Sequence, residues 1–160
     1  MTRATGISVR RAERADAPAI RALLASAGLS TDAVDAVDVH HLVALNGSAI
    51  IGVAAVERYG PVGLLRSVVV APRWRRQGVA SRLVEAIGQT SGDVSVLYLF
   101  TETAEAFFAS CGFRKVQRTA LPPAIAQSTQ ALHMCPVSAI AMCRELRAAG
   151  PRHDAVRQSA

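Results

Sequence analysis

Val68-Val-Val-Ala-Pro-Arg-Trp-Arg-Arg-Gln-Gly-Val-Ala80 is the stretch that decides how this chain folds. Its β-branched run reads as a buried strand, and Pro72 stops that strand because proline has no N–H to give a ladder. From Val79 the period changes: Val79, Leu83, Ala86 and Ile87 recur at helical spacing. A strand therefore runs through a basic loop into a helix. A helix start carries unpaired N–H groups and the positive end of its dipole, and Gly78 lets a ligand come close to the backbone. Arg73, Arg75, Arg76 and Arg82 all fall within this short region, which makes it a candidate anion site. The spacing is neither G-x-x-x-x-G-K-[ST] nor G-x-G-x-x-G. A triphosphatase loop and a dinucleotide fingerprint are both excluded, and some other ligand with a pyrophosphate is expected.

Outward from that stretch, residues 7–10 alternate like a short strand. Asp16 is a plausible N-cap for a helix with Pro18 in its first turn, Ile20, Leu23 and Leu24 on its apolar face, and Gly28 as its stop. The acidic segment 31–39 reads as irregular, with a short second helix as the alternative. Two apolar strands, 41–45 and 49–56, flank Asn46-Gly47, a strong hairpin signal. Turn chemistry at 59–63 leads into the buried strand 64–70, and the helix from Val79 runs to Ser91-Gly92. Strand 94–100, a helix over 102–110 stopped by Gly112, strand 113–118, a break at Leu121-Pro-Pro and a last strand over 138–143 complete the pattern. This order predicts an α/β (α+β) domain: a mixed sheet with helices on both faces.

At 160 residues and 16.8 kDa the chain suits one domain. With 51% hydrophobic and 19% charged residues it has enough apolar side chains to fold as a globule. The expected layout is a tail at 1–6, a domain at 7–147 and a polar tail at 148–160. No apolar run reaches the roughly 18 residues a membrane span needs, and the first residues lack a secretory pattern, so a soluble cytoplasmic protein is expected. The net charge of +6 permits nucleic acid, a membrane surface or a phosphorylated cofactor as partner. Only 4% aromatic residues and the lack of a recognised motif weigh against nucleic acid. Three cysteines without C-x-x-C spacing argue against a disulfide framework and a structural zinc site; no metal is expected.

Arg75-Arg-Gln-Gly-Val-Ala80 resembles the Q/R-x-x-G-x-G/A signature of the GNAT superfamily of acetyl-CoA-dependent N-acetyltransferases. Phe107-Phe-Ala-Ser-Cys-Gly-Phe113 resembles that family's closing aromatic-x-x-x-Gly-Phe element. With Leu64-Leu-Arg-Ser67 and the segment 101–108, the chain looks most like the ArsN-type acetyltransferases of arsenic resistance, near the catalytic domain of glutamate N-acetyltransferases. The resemblance implies a GNAT fold: a mostly antiparallel central sheet splayed between its fourth and fifth strands. It also implies acetyl-CoA as cosubstrate. The pantetheine arm would lie along Val68, Val69 and Val70, and the pyrophosphate would meet Arg75, Arg76, Gln77, Gly78, Val79 and Ala80. Thr101, Phe107 and Phe108 would complete the cofactor site.

Acetyl transfer to an amine needs proximity, a neutral amine and donors for a developing oxyanion. Glu57, at the end of the third strand, is the first candidate base, with His41 and His40 next. A solvated turn glutamate and surface histidines are the alternatives. Arg66, on a buried strand, needs an anionic partner, either a substrate carboxylate or Glu57. Many relatives carry a tyrosine acid where this chain has Phe108, so the departing thiolate would take its proton from solvent, or from Tyr98 if that residue does not simply pack. Cys111, Cys135 and Cys143 raise the alternative of a non-catalytic arsenic(III)-binding thiol module, although free cysteines usually just pack. Of the three, Cys135 is the candidate at the acceptor pocket. The expected partner is a small-molecule amine or amino acid; the apolar strand near 139–142 allows a homodimer.

Overall fold

The computed structural model describes residues 6–134 and 136–146. Seven strands form one sheet: β1 (Ile7–Arg11), β2 (Val39–Asn46), β3 (Ala49–Tyr59), β4 (Val62–Val70), β5 (Val96–Thr101), β6 (Arg114–Val116) and β7 (Ile140–Glu145). They lie in the order β1-β2-β3-β4-β5-β7-β6. Every neighbouring pair is antiparallel except β4 and β5. The helices are α1 (Ala17–Ser26), α2 (Val79–Thr90), α3 (Glu105–Ser110) and the short α4 (Pro123–Ala126).

The sheet buries a core on each face. On one face, Ile20 and Leu24 of α1 pack on Val43, Leu45, Val53 and Val69. On the other, Val79, Leu83, Val84 and Ile87 of α2 pack on Leu42, Ala44, Ala54, Val56, Leu65 and Val70. Gly52 sets how closely α2 sits, because a Cβ there would lie 3.1 Å from Leu83 and 3.2 Å from Val79. Alternation along β2 and β3 accounts for this division: neighbouring residues point to opposite helices.

Several elements differ from the sequence reading. Residues 31–38 form turns and no helix. Asp16 does not cap α1 through its side chain; its carboxylate binds Arg10 at 2.7 Å and the Glu13 N–H at 2.7 Å. The hairpin turns on Gly47-Ser48, one residue later than expected, because Asn46 still pairs with Ala49. A two-residue loop with glycine first matches the twist of the flanking strands. The last strand is also not a free edge. β7 is inserted between β5 and β6, so Ala141, Met142 and Cys143 are paired on both sides.

Candidate active site

β4 and β5 are parallel only from Val62↔Val96 to Leu64↔Tyr98. Beyond Leu64 they part, and a cleft of about 830 Å³ opens between them. A β-bulge shapes its β4 wall. Ala55 pairs with Arg66 and Val53 with Val69, so Ser67 and Val68 together oppose Ala54. Ser67 takes a left-handed φ of 57° to make this possible. The extra residue reverses the alternation. Arg66 and Val69 both face the α1 side, while Val68 and Val70 face the α2 side.

The far wall comes from the start of α2. Gly78 is its N-cap at φ 79°, and Arg76 before it is also left-handed at φ 62°. Two such residues around Gln77 turn the chain from the strand into the helix and aim the first-turn N–H groups of α2 outward. A Cβ on Gly78 would meet no protein atom within 4 Å. Trp74, Arg75, Arg76, Gly78, Val79, Ala80 and Ser81 all line the cleft. The Arg75 Nε donates to the Val70 carbonyl at 3.1 Å, which ties the loop to the end of β4. Arg75 and Arg76 bring positive charge to the same mouth as the helix dipole, which suits a diphosphate.

The predicted arginine cluster divides here. Arg82 turns away to the Ile7 carbonyl at 2.9 Å and ties α2 to β1. Gln77 bonds the Arg73 carbonyl at 3.2 Å, and neither residue lines the cleft. Val69 is likewise committed to the α1 core. Val68, Val70, Thr101, Phe107 and Phe108 do line it. The Thr101 hydroxyl accepts the Ala104 N–H at 3.0 Å and fixes the turn into α3. Phe108 packs edge-on between Phe107 and Phe113, with ring centroids 5.0 and 5.9 Å away.

Arg66 lines the other end of the cleft, with Leu29, Ser30, Gln130, Pro136 and Ala139. Its guanidinium binds the Glu57 carboxylate at 2.9 Å, and the two side chains are 7% and 16% exposed. Glu57 also accepts the Tyr59 hydroxyl. Burial and this bond push the Tyr59 pKa well above its usual value. Glu57 itself does not line the cleft; its carboxylate binds Arg66 and Tyr59.

His41 is not in the cleft either. It lies across Ala55 from Arg66 and lines a separate cavity of about 610 Å³ near Arg11, Arg14 and Arg58. Burial first, then the charges of Arg66 and His40, lower its pKa to about 4 against a smaller opposing effect of Asp35. Unfolded His41 binds a proton between about pH 4 and 6.5, and folded His41 does not. Its contribution to stability is therefore complete above about pH 6.5 and is lost as pH falls towards 4, by about 3 kcal/mol in all. Urea unfolding of wild type and His41→Gln across that window should show this increment in the wild type alone.

Tyr98 is on β5 but does not line the cleft. Cys143 is buried and burial raises its thiol pKa; Cys111 packs against the same core. Cys135 lies outside the described residues. Among the described residues no group of three His, Cys, Asp or Glu side chains could hold a metal ion. No described helix is long and apolar enough to cross a membrane.

Sequence reasoning missed Ser67, Trp74, Ser81, Glu102 and Leu29 as cleft residues. Trp74 is the sole tryptophan and sits inside the basic loop, which was a usable signal. Leu29 follows the Gly28 stop, and its N–H bonds the Leu24 carbonyl at 3.0 Å, which closes α1 and brings Leu29 to the cleft.

The parted parallel strands, the bulged wall and the helix start make this a GNAT fold, and residues 38–115 match the family model of the acetyltransferase (GNAT) domain. Among solved structures the chain is similar to the N-acetylglutamate synthase of Neisseria gonorrhoeae complexed with coenzyme A and N-acetyl-glutamate, at 20% identity and TM-score 0.72 over 89% of this chain and 35% of that one. It spans only about a third of that synthase. It is also similar to Rv2747 of Mycobacterium tuberculosis in complex with CoA (21% identity, TM-score 0.70, 87% of this chain and 99% of that one). A GNAT-family acetyltransferase of Staphylococcus aureus is a third (16%, 0.71, 89% and 100%). At these identities the likeness is one of fold. No curated protein matches the sequence.

Proposed function

We propose that this protein transfers acetyl from acetyl-CoA to the amino group of a small amino acid or amino-acid-like molecule by direct attack. The observation that carries the reading is a single cleft with a helix start and two arginines at one mouth and Arg66 at the other. Its size and basic mouth fit coenzyme A: the first-turn amides of α2, with Arg75 and Arg76, would hold the diphosphate, and Val68 to Val70 the pantetheine arm. Bound acetyl-CoA supplies the thioester that the amine attacks. At the bulge, where Ser67 and Val68 oppose Ala54, backbone N–H groups would be the donors for the developing oxyanion. Phe108 has no proton to give, so the departing thiol, near the cysteine value of roughly 8.5, takes its proton from solvent.

Arg66 would hold the acid group of the acceptor, with Glu57 and Tyr59 fixing its orientation. The N-acetylglutamate product in the gonococcal synthase, together with Leu64-Leu-Arg-Ser67 here, favours an acidic amino acid or an organoarsenical analogue of one. Acetylation would remove the ammonium charge of such a toxin, which is how the reaction would serve arsenic resistance. Thermal unfolding tests the coenzyme half of the reading. At a hundred times Kd, coenzyme A should stabilise the fold by about 2.7 kcal/mol and raise Tm by roughly 5–10 °C. Acetyl-CoA-dependent release of free thiol across acidic amino acids and arsenical analogues tests the acceptor. No rise in Tm with coenzyme A or acetyl-CoA would overturn the whole reading.

A further inference from the structure

From the same cleft we infer that Glu102 is the residue that binds the acceptor's ammonium group and carries its proton away, an inference that rests on the acetyltransferase reading. Among the described residues, Glu102 is the only carboxylate lining the cleft; the other ionisable side chains there are Arg66, Arg75 and Arg76. It sits directly after β5, at the carboxyl end of the strand and on the side where β4 and β5 part. Its backbone is held by the Thr101 hydroxyl, which anchors the turn to Ala104 at 3.0 Å. No hydrogen bond or ion pair to another described residue engages its carboxylate, whereas the nearby Glu105 is taken up by Lys115 at 2.8 Å. Glu57 is occupied by Arg66 and Tyr59, and His41 opens on the other cavity.

Among the described residues the cleft thus presents one anionic and one cationic side chain besides the basic coenzyme mouth. That pair fits a zwitterion, with the carboxylate at Arg66 and the ammonium at Glu102. On transfer, the amine nitrogen forms a bond to the acetyl carbon and the C–S bond breaks, its electron pair leaving on sulfur. The ammonium loses two protons in becoming an amide. Both reach solvent, the first through Glu102, and solvent gives one proton back to the departing thiolate.

The test measures acetyl transfer to glycine, L-aspartate, L-glutamate and their arsenical analogues by wild type, Glu102→Gln and Glu105→Gln, with coenzyme A affinity measured by calorimetry. Glu102→Gln should lower kcat/KM for the amine by roughly a hundredfold. Coenzyme A affinity should stay unchanged, and the loss should shrink above pH 8, where an α-amine deprotonates by itself. Glu105→Gln should behave as wild type. If Glu102→Gln keeps the wild-type rate and pH profile, Glu102 has no such role. Wild type that binds coenzyme A but acetylates none of these amines would also overturn the role of Glu102 and leave the coenzyme site standing. Failure to bind coenzyme A at all would overturn the acetyltransferase reading itself.

Discussion

Replacing Gly78 with valine is expected to lower coenzyme A affinity at least about a hundredfold while the fold loses no more than about 2 kcal/mol. The two effects separate because of where the missing Cβ points. At φ 79° a β-branched residue is strained by about 1–2 kcal/mol, but an added Cβ meets no protein atom within 4 Å, so no clash in the core adds to that. The new side chain instead occupies the mouth beside the first-turn amides of α2. Losing two hydrogen bonds to a charged diphosphate costs about 3 kcal/mol, or roughly two orders of magnitude in Kd. Calorimetry with coenzyme A and urea unfolding of the same variant measure both numbers. Unchanged affinity in a folded Gly78→Val protein would mean the diphosphate does not sit there. Gly78→Ala should show a milder version of both effects.

Why this mouth was legible in the sequence, and the opposite end of the cleft was not, follows from what each depends on. Residues 68–80 are local: an apolar run, a proline stop, a glycine and a helical period each specify their own conformation. Gly28 and Gly112 closed their helices as read, for the same reason. The acceptor end depends on register. Val68 and Val70 face away from Arg66 because one extra residue is inserted at Ser67 and Val68, and without that bulge they would share its face. Nothing in Leu64-Leu-Arg-Ser67 announces the insertion. The pairing of β7 between β5 and β6 joins segments far apart in the chain and has no local signature. Segment 31–39 carries acidic residues with apolar ones between them, but it is too short to stabilise a helix without a packed face, and turns result. Of the site, the contact with Glu57 was one of two partners weighed for Arg66, and the two side chains meet across β3 and β4.

That contact gives the second large effect. Glu57→Ala should destabilise the protein by about 3–5 kcal/mol, because it leaves a nearly buried guanidinium without the carboxylate that offsets its charge. It also removes the acceptor of the Tyr59 hydroxyl. Such a loss alone would not separate a structural pair from one that positions Arg66 for a ligand. The double variant Glu57→Leu/Arg66→Met does, since replacing both members of a buried pair with apolar groups of similar volume often restores stability. Its Tm should return to within a few degrees of wild type, and coenzyme A should still bind, because the helix start is untouched. The KM for an acidic acceptor should nevertheless rise by more than tenfold, because among the described residues Arg66 is the cationic side chain lining that end of the cleft. Recovery of both stability and acceptor KM would show that the pair only fills space between β3 and β4. Recovery of stability alone would tie Arg66 to the acceptor and Glu57 to holding it in place.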